Sequence, residues 1–101
     1  MPKHERIIMG RPYYIPSRMG GGIDRYVNEG VIPGGFLQAI ICNDLKEAFG
    51  KADDENFHNI AAYVDYFYNN CPAVCWGSRK KMQAWAKTHQ ERRKKDAKQP
   101  T

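Results

Sequence analysis

Apolar positions recur along this chain with helical spacing from about residue 17 to residue 90. Ile23, Tyr26 and Val27 fall one turn apart behind Pro16 and Ser17, and Gly30 is the kind of residue that ends a helix in the left-handed conformation. Gly20, Gly21 and Gly22 weaken the start of that segment, so a short first helix behind a loose turn is expected. A second helix is expected from Pro33–Gly35 to Gly50. At about 100° per residue, Leu37, Ile40, Ile41, Cys42, Leu45, Ala48 and Phe49 sweep a wide arc, leaving only Ala39, Asn43, Lys46 and Glu47 for water. An element so apolar belongs in the middle of a bundle.

The third helix opens with "ADDENF", in which Asp53 or Asp54 is the N-cap and the acids complement the helix dipole. Phe57, Ile60, Ala61, Val64, Phe67, Tyr68 and Cys71 then define a core face, and Pro72 ends the element. The fourth begins at Ser78, with Met82, Trp85, Ala86 and His89 on its inner face; beyond about Gln90 nothing apolar holds "ERRKKDAKQPT". Pro2, Pro12 and Pro16 break up the opening stretch. The prediction is an all-α fold: a small four-helix domain over 16–90, an extended N-terminal arm over 1–15, and a basic, partly disordered tail over 91–101.

Charge sharpens this picture. From Arg79 onward nine Lys/Arg face two acids, a net of +7, whereas residues 1–78 carry seven Lys/Arg against nine acids, a net of −2. The basicity belongs to the last helix and tail, which argues against an acidic nucleic-acid mimic and for attraction to something anionic. With 101 residues one domain is expected. The opening has no apolar signal-peptide core, "GGFLQAIIC" is too short to span a bilayer, and three cysteines do not make a secreted disulfide framework. A soluble, cytoplasmic protein without membrane contact is expected.

"CPAVC", Cys71 to Cys75, offers one metal-ligand pair without a second, since His4, His58 and His89 are scattered, and its three-residue spacing is not the redox C-x-x-C. It is expected to be a corner, with Pro72 stopping one helix, Trp76 folding over the turn and Ser78 capping the next. Asp44 falls on the wheel between Ile40 and Ala48, so its carboxylate is expected to be a buried structural anchor satisfied by Arg25, the Trp76 indole or a helix terminus. Asp53, Asp54 and Glu55 are explained by capping, and no metal or other cofactor is expected. The glycines at 20–22 and 34–35 lack the G-K-[ST] of a phosphate loop.

Two features point outward. Tyr63 and Tyr66 lie opposite the core face of the third helix, among Asn59, Asp65, Asn69 and Asn70, as a surface for a partner or a second copy. "SRKK" places Arg79, Lys80 and Lys81 in a first helical turn, against the dipole, as an anion-receptive spot. Arg92, Arg93, Lys94 and Lys95 extend the cationic surface.

The frame Ile15–Pro16, Arg25–Tyr26, Gly35 to Ala39, Asn43 to Leu45, Ala52–Asp53 with Asn56, and Trp76 to Ser78 with Trp85 resembles a family of small proteins of bacteriophages and other mobile elements. The resemblance spans about seventy residues. It departs after Ser78, where a proline and an acid are commoner than "RKK". It implies that Asn43, Asp44 and Trp76 define the fold and carries no known activity; Arg25, Ser78 and Trp85 are expected to be structural as well. The expected function is a non-enzymatic accessory protein that binds a host protein or nucleoprotein complex in the bacterial cytoplasm and obstructs a defence or nuclease complex, in the manner of an anti-CRISPR. The alternative is a nucleic-acid-binding module using the basic last helix. A small hydrolase would need Asp44 or His58 in an acid–base set.

Overall fold

The opening residues fold back on themselves. In the computed structural model, which describes the backbone of residues 4–98 and the side chains of 5–94, β1 (His4–Ile8) pairs antiparallel with β2 (Arg11–Ile15), with Ile8 opposite Arg11. Met9 and Gly10 make the connection with φ of 50° and 77°, the pair of positive values that lets a two-residue turn match the twist of its strands. The expected arm is therefore a hairpin. Pro12 fits because a two-stranded ribbon is all edge.

Among the described residues six α-helices follow: α1 (Ser17–Glu29), α2 (Gly35–Ile41), α3 (Leu45–Lys51), α4 (Asp54–His58), α5 (Ile60–Asn70) and α6 (Arg79–Lys98), with a 3₁₀ turn at Ala73–Cys75. The fold is mostly helical, as expected, but two of the expected helices are broken. The second divides at Asn43, which takes φ 59°. The Asn43 amide bonds to the Ile40 carbonyl at 3.1 Å and the Asp44 amide to the Ala39 carbonyl at 2.8 Å, the paired bonds of a Schellman ending. Asp44 then caps α3, its Oδ1 accepting the Glu47 amide at 3.2 Å. The expected buried carboxylate is a partly exposed N-cap; the helical wheel placed it inside only by assuming that the helix continued.

The third helix divides at Asn59, whose buried side chain serves the hairpin. Its Oδ1 accepts the Tyr14 amide at 2.9 Å and its Nδ2 donates to the Glu55 carbonyl at 2.9 Å. Arg6 of β1 reaches Asp65 at 3.2 Å and also Asn70 on α5. The hairpin thus covers the α5 face that carries Tyr63 and Tyr66, and the expected orientation of the helix is rotated. Tyr63 is fully buried, and its hydroxyl donates to Asn56 Oδ1 at 2.5 Å. Val64, Tyr68 and Phe57, expected in the core, are exposed.

Ile15, Ile23, Tyr26, Ile41, Phe67 and Cys75 meet at the centre, so both the hairpin and the 3₁₀ corner share one core. The Tyr26 hydroxyl donates to the Cys75 carbonyl at 2.5 Å, and burial holds that hydroxyl above its ordinary pKa. Helix α6 stays helical to Lys98, past the point near Gln90 where fraying is expected; the rest of that expectation concerns residues outside those described. No described helix is long and apolar enough to cross a membrane.

Candidate functional site

Helix α6 is placed by the corner before it and by the end of α1. Gly77, with φ 117°, donates its amide to the Ile41 carbonyl at 2.7 Å, which ties the corner to α2. Trp76 lies 5.7 Å from the Phe67 ring, and Ser78 Oγ accepts the Lys81 amide at 3.1 Å. Helix α1 has no basic residue in its last turn; the Gly30 amide closes on the Tyr26 carbonyl at 2.9 Å and the Val31 amide on the Arg25 carbonyl at 3.3 Å, and further donors come from outside the helix. Two come from α6: the Trp85 indole donates to the Tyr26 carbonyl at 3.0 Å, and the Arg93 guanidinium donates to the Glu29 carbonyl. Between them Gly30 takes φ 69° directly beneath Ala86 and His89. Arg93 therefore also supplies positive charge where the α1 dipole is negative.

These anchors sort the cations. Arg79, Lys80 and Lys81 leave the axis about 100° apart, so three consecutive residues cannot form one cluster. Lys81 Nζ turns back to the Ala73 carbonyl at 3.5 Å, and Arg79 lies close enough to the Cys42 thiol to act on its ionisation. Lys80 points outward with the exposed side of the helix. Lys87 and Lys94 follow at intervals of seven residues, about 10 Å apart along the axis and turned by only some 20° per step. All three side chains are exposed, as is every side chain from Gln90 to Lys94. Glu91 lies in the same strip and offsets one charge. Arg92 flanks it, and the Lys95 side chain lies outside the described residues. The expected residues split between directions, and Lys80 lines up with Lys94 and with Lys87, which was not among them; the seven-residue repeat was its signal.

The tyrosines do not belong to this surface. Tyr63 is core, and Tyr66 is half-buried beneath the Arg6 guanidinium, 5.3 Å from its ring centre. Arg25 is exposed, lying against Gly21 rather than Asp44. The hydrolase residues are spent locally: Asp44 on its own helix and His58 on the Asp54 carbonyl, to which Nδ1 donates at 2.7 Å. Acids gather instead around Arg18, which meets Asp53 at 2.8 Å and Glu55 at 3.3 Å. The Asn56 amide, then Arg18, hold the Asp53 carboxyl below its ordinary value.

The cysteines are free. The Cys75 thiol pairs with Cys71, and this bond, assisted by the Tyr66 hydroxyl and the Arg6 charge, lowers the Cys71 thiol below its ordinary pKa; the same bond and burial push Cys75 up. Among the described residues no three His, Cys, Asp or Glu side chains gather where a metal ion could be held. Comparison of the chain with family models, with curated proteins and with solved structures returns no match.

Proposed function

We propose that this is a non-enzymatic accessory protein of bacteriophage or mobile-element origin whose α6 helix binds nucleic acid along the phosphate backbone. One observation carries the reading: Lys80, Lys87 and Lys94 repeat along the exposed side of a helix whose other side is spent on docking to α1. A row of cations on a rigid rod follows a linear anion without reading its sequence. The origin rests on the sequence resemblance. Obstruction of a host defence complex through a protein contact is the weaker reading, because Tyr63 and Tyr66, which were to make part of that contact, are taken into the fold.

The test is fluorescence anisotropy with a labelled DNA duplex. Three neutralised phosphates give a slope of log affinity against log salt near −3, so affinity should fall about 40-fold between 50 and 200 mM salt. Replacing Lys80, Lys87 and Lys94 together with alanine should remove most of that slope. A chain that ignores DNA at 50 mM salt, or a triple variant that binds as tightly as the parent, refutes the proposal.

A further inference from the structure

Five apolar side chains that the sequence marks as core on the second and third expected helices stay largely open among the described residues. Leu45 is 73% exposed, Phe49 62%, Phe57 45%, Val64 42% and Tyr68 76%. They are contiguous. The Phe49 and Phe57 rings meet edge-on at 5.1 Å. Leu45 and Val64 border one groove of about 110 Å³ floored by Ala48, Ile60 and Trp76, and Val64 and Tyr68 border the next. A lone exposed leucine needs no explanation, whereas a continuous apolar strip across three helices does.

We propose that a second copy of this chain packs on this strip, forming a two-fold dimer with α5 against α5. Area is the first argument. At roughly 200 Å² for a large side chain, the five exposures leave on the order of 600 Å² open, about three quarters of what each partner buries in a standard interface. Ile8 and Ala61 beside the second groove add to it. Spacing is the second. Ala61, Val64 and Tyr68 follow one another on α5 at three and four residues, the spacing by which one helix packs along another of the same pattern, and Phe57 on α4 continues the strip. A two-fold axis supplies that matching seam from the same chain.

Charge selects a copy over a charged partner. Asp65 at the edge is paired with Arg6, Glu47 with Lys51 at 3.5 Å, and Asp44 with its own helix amide. A second copy therefore meets little like-charge repulsion there, and a strongly charged partner finds few open counter-charges. No described α6 side chain lines either groove, so the dimer leaves both lysine stripes in solution. The inference does not depend on what those stripes bind.

Sedimentation equilibrium of the full chain, up to about 200 μM where even a micromolar pair is assembled, tests it. The parent should reach twice its 11.6 kDa chain mass at the upper end. The Leu45→Lys, Tyr68→Lys variant should stay at the single-chain mass, its association weakened at least 30-fold, with an unchanged far-UV CD spectrum because both side chains point to solvent. If the pair fails to fold, Tyr68→Lys alone is read the same way. A parent that sediments as one chain throughout, one that grows beyond two copies, or a folded variant that pairs as tightly as the parent overturns the proposal.

Discussion

Gly30→Ala tests the junction on which the position of α6 depends. Two costs arise at once. Holding alanine at φ 69° costs about 1–2 kcal/mol. Its methyl group would also lie 2.5 Å from His89 Cβ and 3.2 Å from Ala86 Cα. Neither atom can swing aside, because both are fixed to the backbone of α6. Relief requires the helix to retreat by about 1 Å to reach ordinary contact near 3.5 Å, stretching the Trp85 and Arg93 bonds to α1. Overpacking of this kind costs about 1–3 kcal/mol, so the sum is about 2–5 kcal/mol. For a domain of this size that lowers Tm by on the order of 10–30 °C. Thermal unfolding followed by CD reads it directly. Gly50→Ala is the internal control: Gly50 lies within α3 with nothing within 4 Å of an added methyl, and alanine there should stabilise by about 0.5–1 kcal/mol. If Gly30→Ala unfolds within 1 kcal/mol of the parent, α6 does not lie against the end of α1 and the geometry argued for its cations is wrong.

Asp44→Ala should cost about 0.5–2 kcal/mol in urea unfolding, the value of an N-cap; a loss of 4 kcal/mol or more would restore the buried-anchor reading. Tyr63→Phe removes the partner of a buried Asn56 oxygen and should cost about 1–3 kcal/mol, with Tyr68→Phe as the exposed comparison. The depressed Asp53 carboxyl favours the folded state above its ordinary value of 3.8, and that contribution fades as pH falls through the lower folded value. Asp53→Asn, which keeps a capping oxygen, should therefore flatten the acid limb of a Tm–pH profile below about pH 4 and leave a profile at pH 7 to 9 parallel to the parent's. Iodoacetamide at neutral pH should alkylate Cys71 well before Cys75, because one thiol is lowered and part exposed while the other is raised and buried; peptide mapping that finds equal rates rejects the pairing.

Elements whose ends are written locally were legible in the sequence. Gly30 ends α1, Asp53 caps α4 through the Asn56 amide, and Ser78 opens α6. What was misread depended on other segments. Asn43 and Asp44 are respectively tolerant of positive φ and good at capping, yet inside an apolar run their sum looks like one buried acid. The wheel has no way to break a helix. Helix α5 carries two apolar stripes, one through Val64 and Tyr68 and the other through Tyr63 and Phe67, and its own sequence does not say which one a neighbour covers. The choice is made by the hairpin, whose signal was a Met-Gly turn between β-rich runs. The lysine stripe was similarly obscured, because Arg79, Lys80 and Lys81 look like a cluster when written in a line and are not one when wound on a helix.

The closure of α1 by α6 bears on the order in which the chain can mature on the ribosome. The Glu29 carbonyl waits for Arg93, 64 residues downstream, and the Tyr26 carbonyl, already bonded to the Gly30 amide, gains the Trp85 indole from 59 residues downstream. At translation rates of roughly 5–20 residues per second, that delay is several seconds at the least. The first helix to emerge therefore keeps an unfinished end until Arg93 has left the exit tunnel. Completion of this fold is a late event in synthesis.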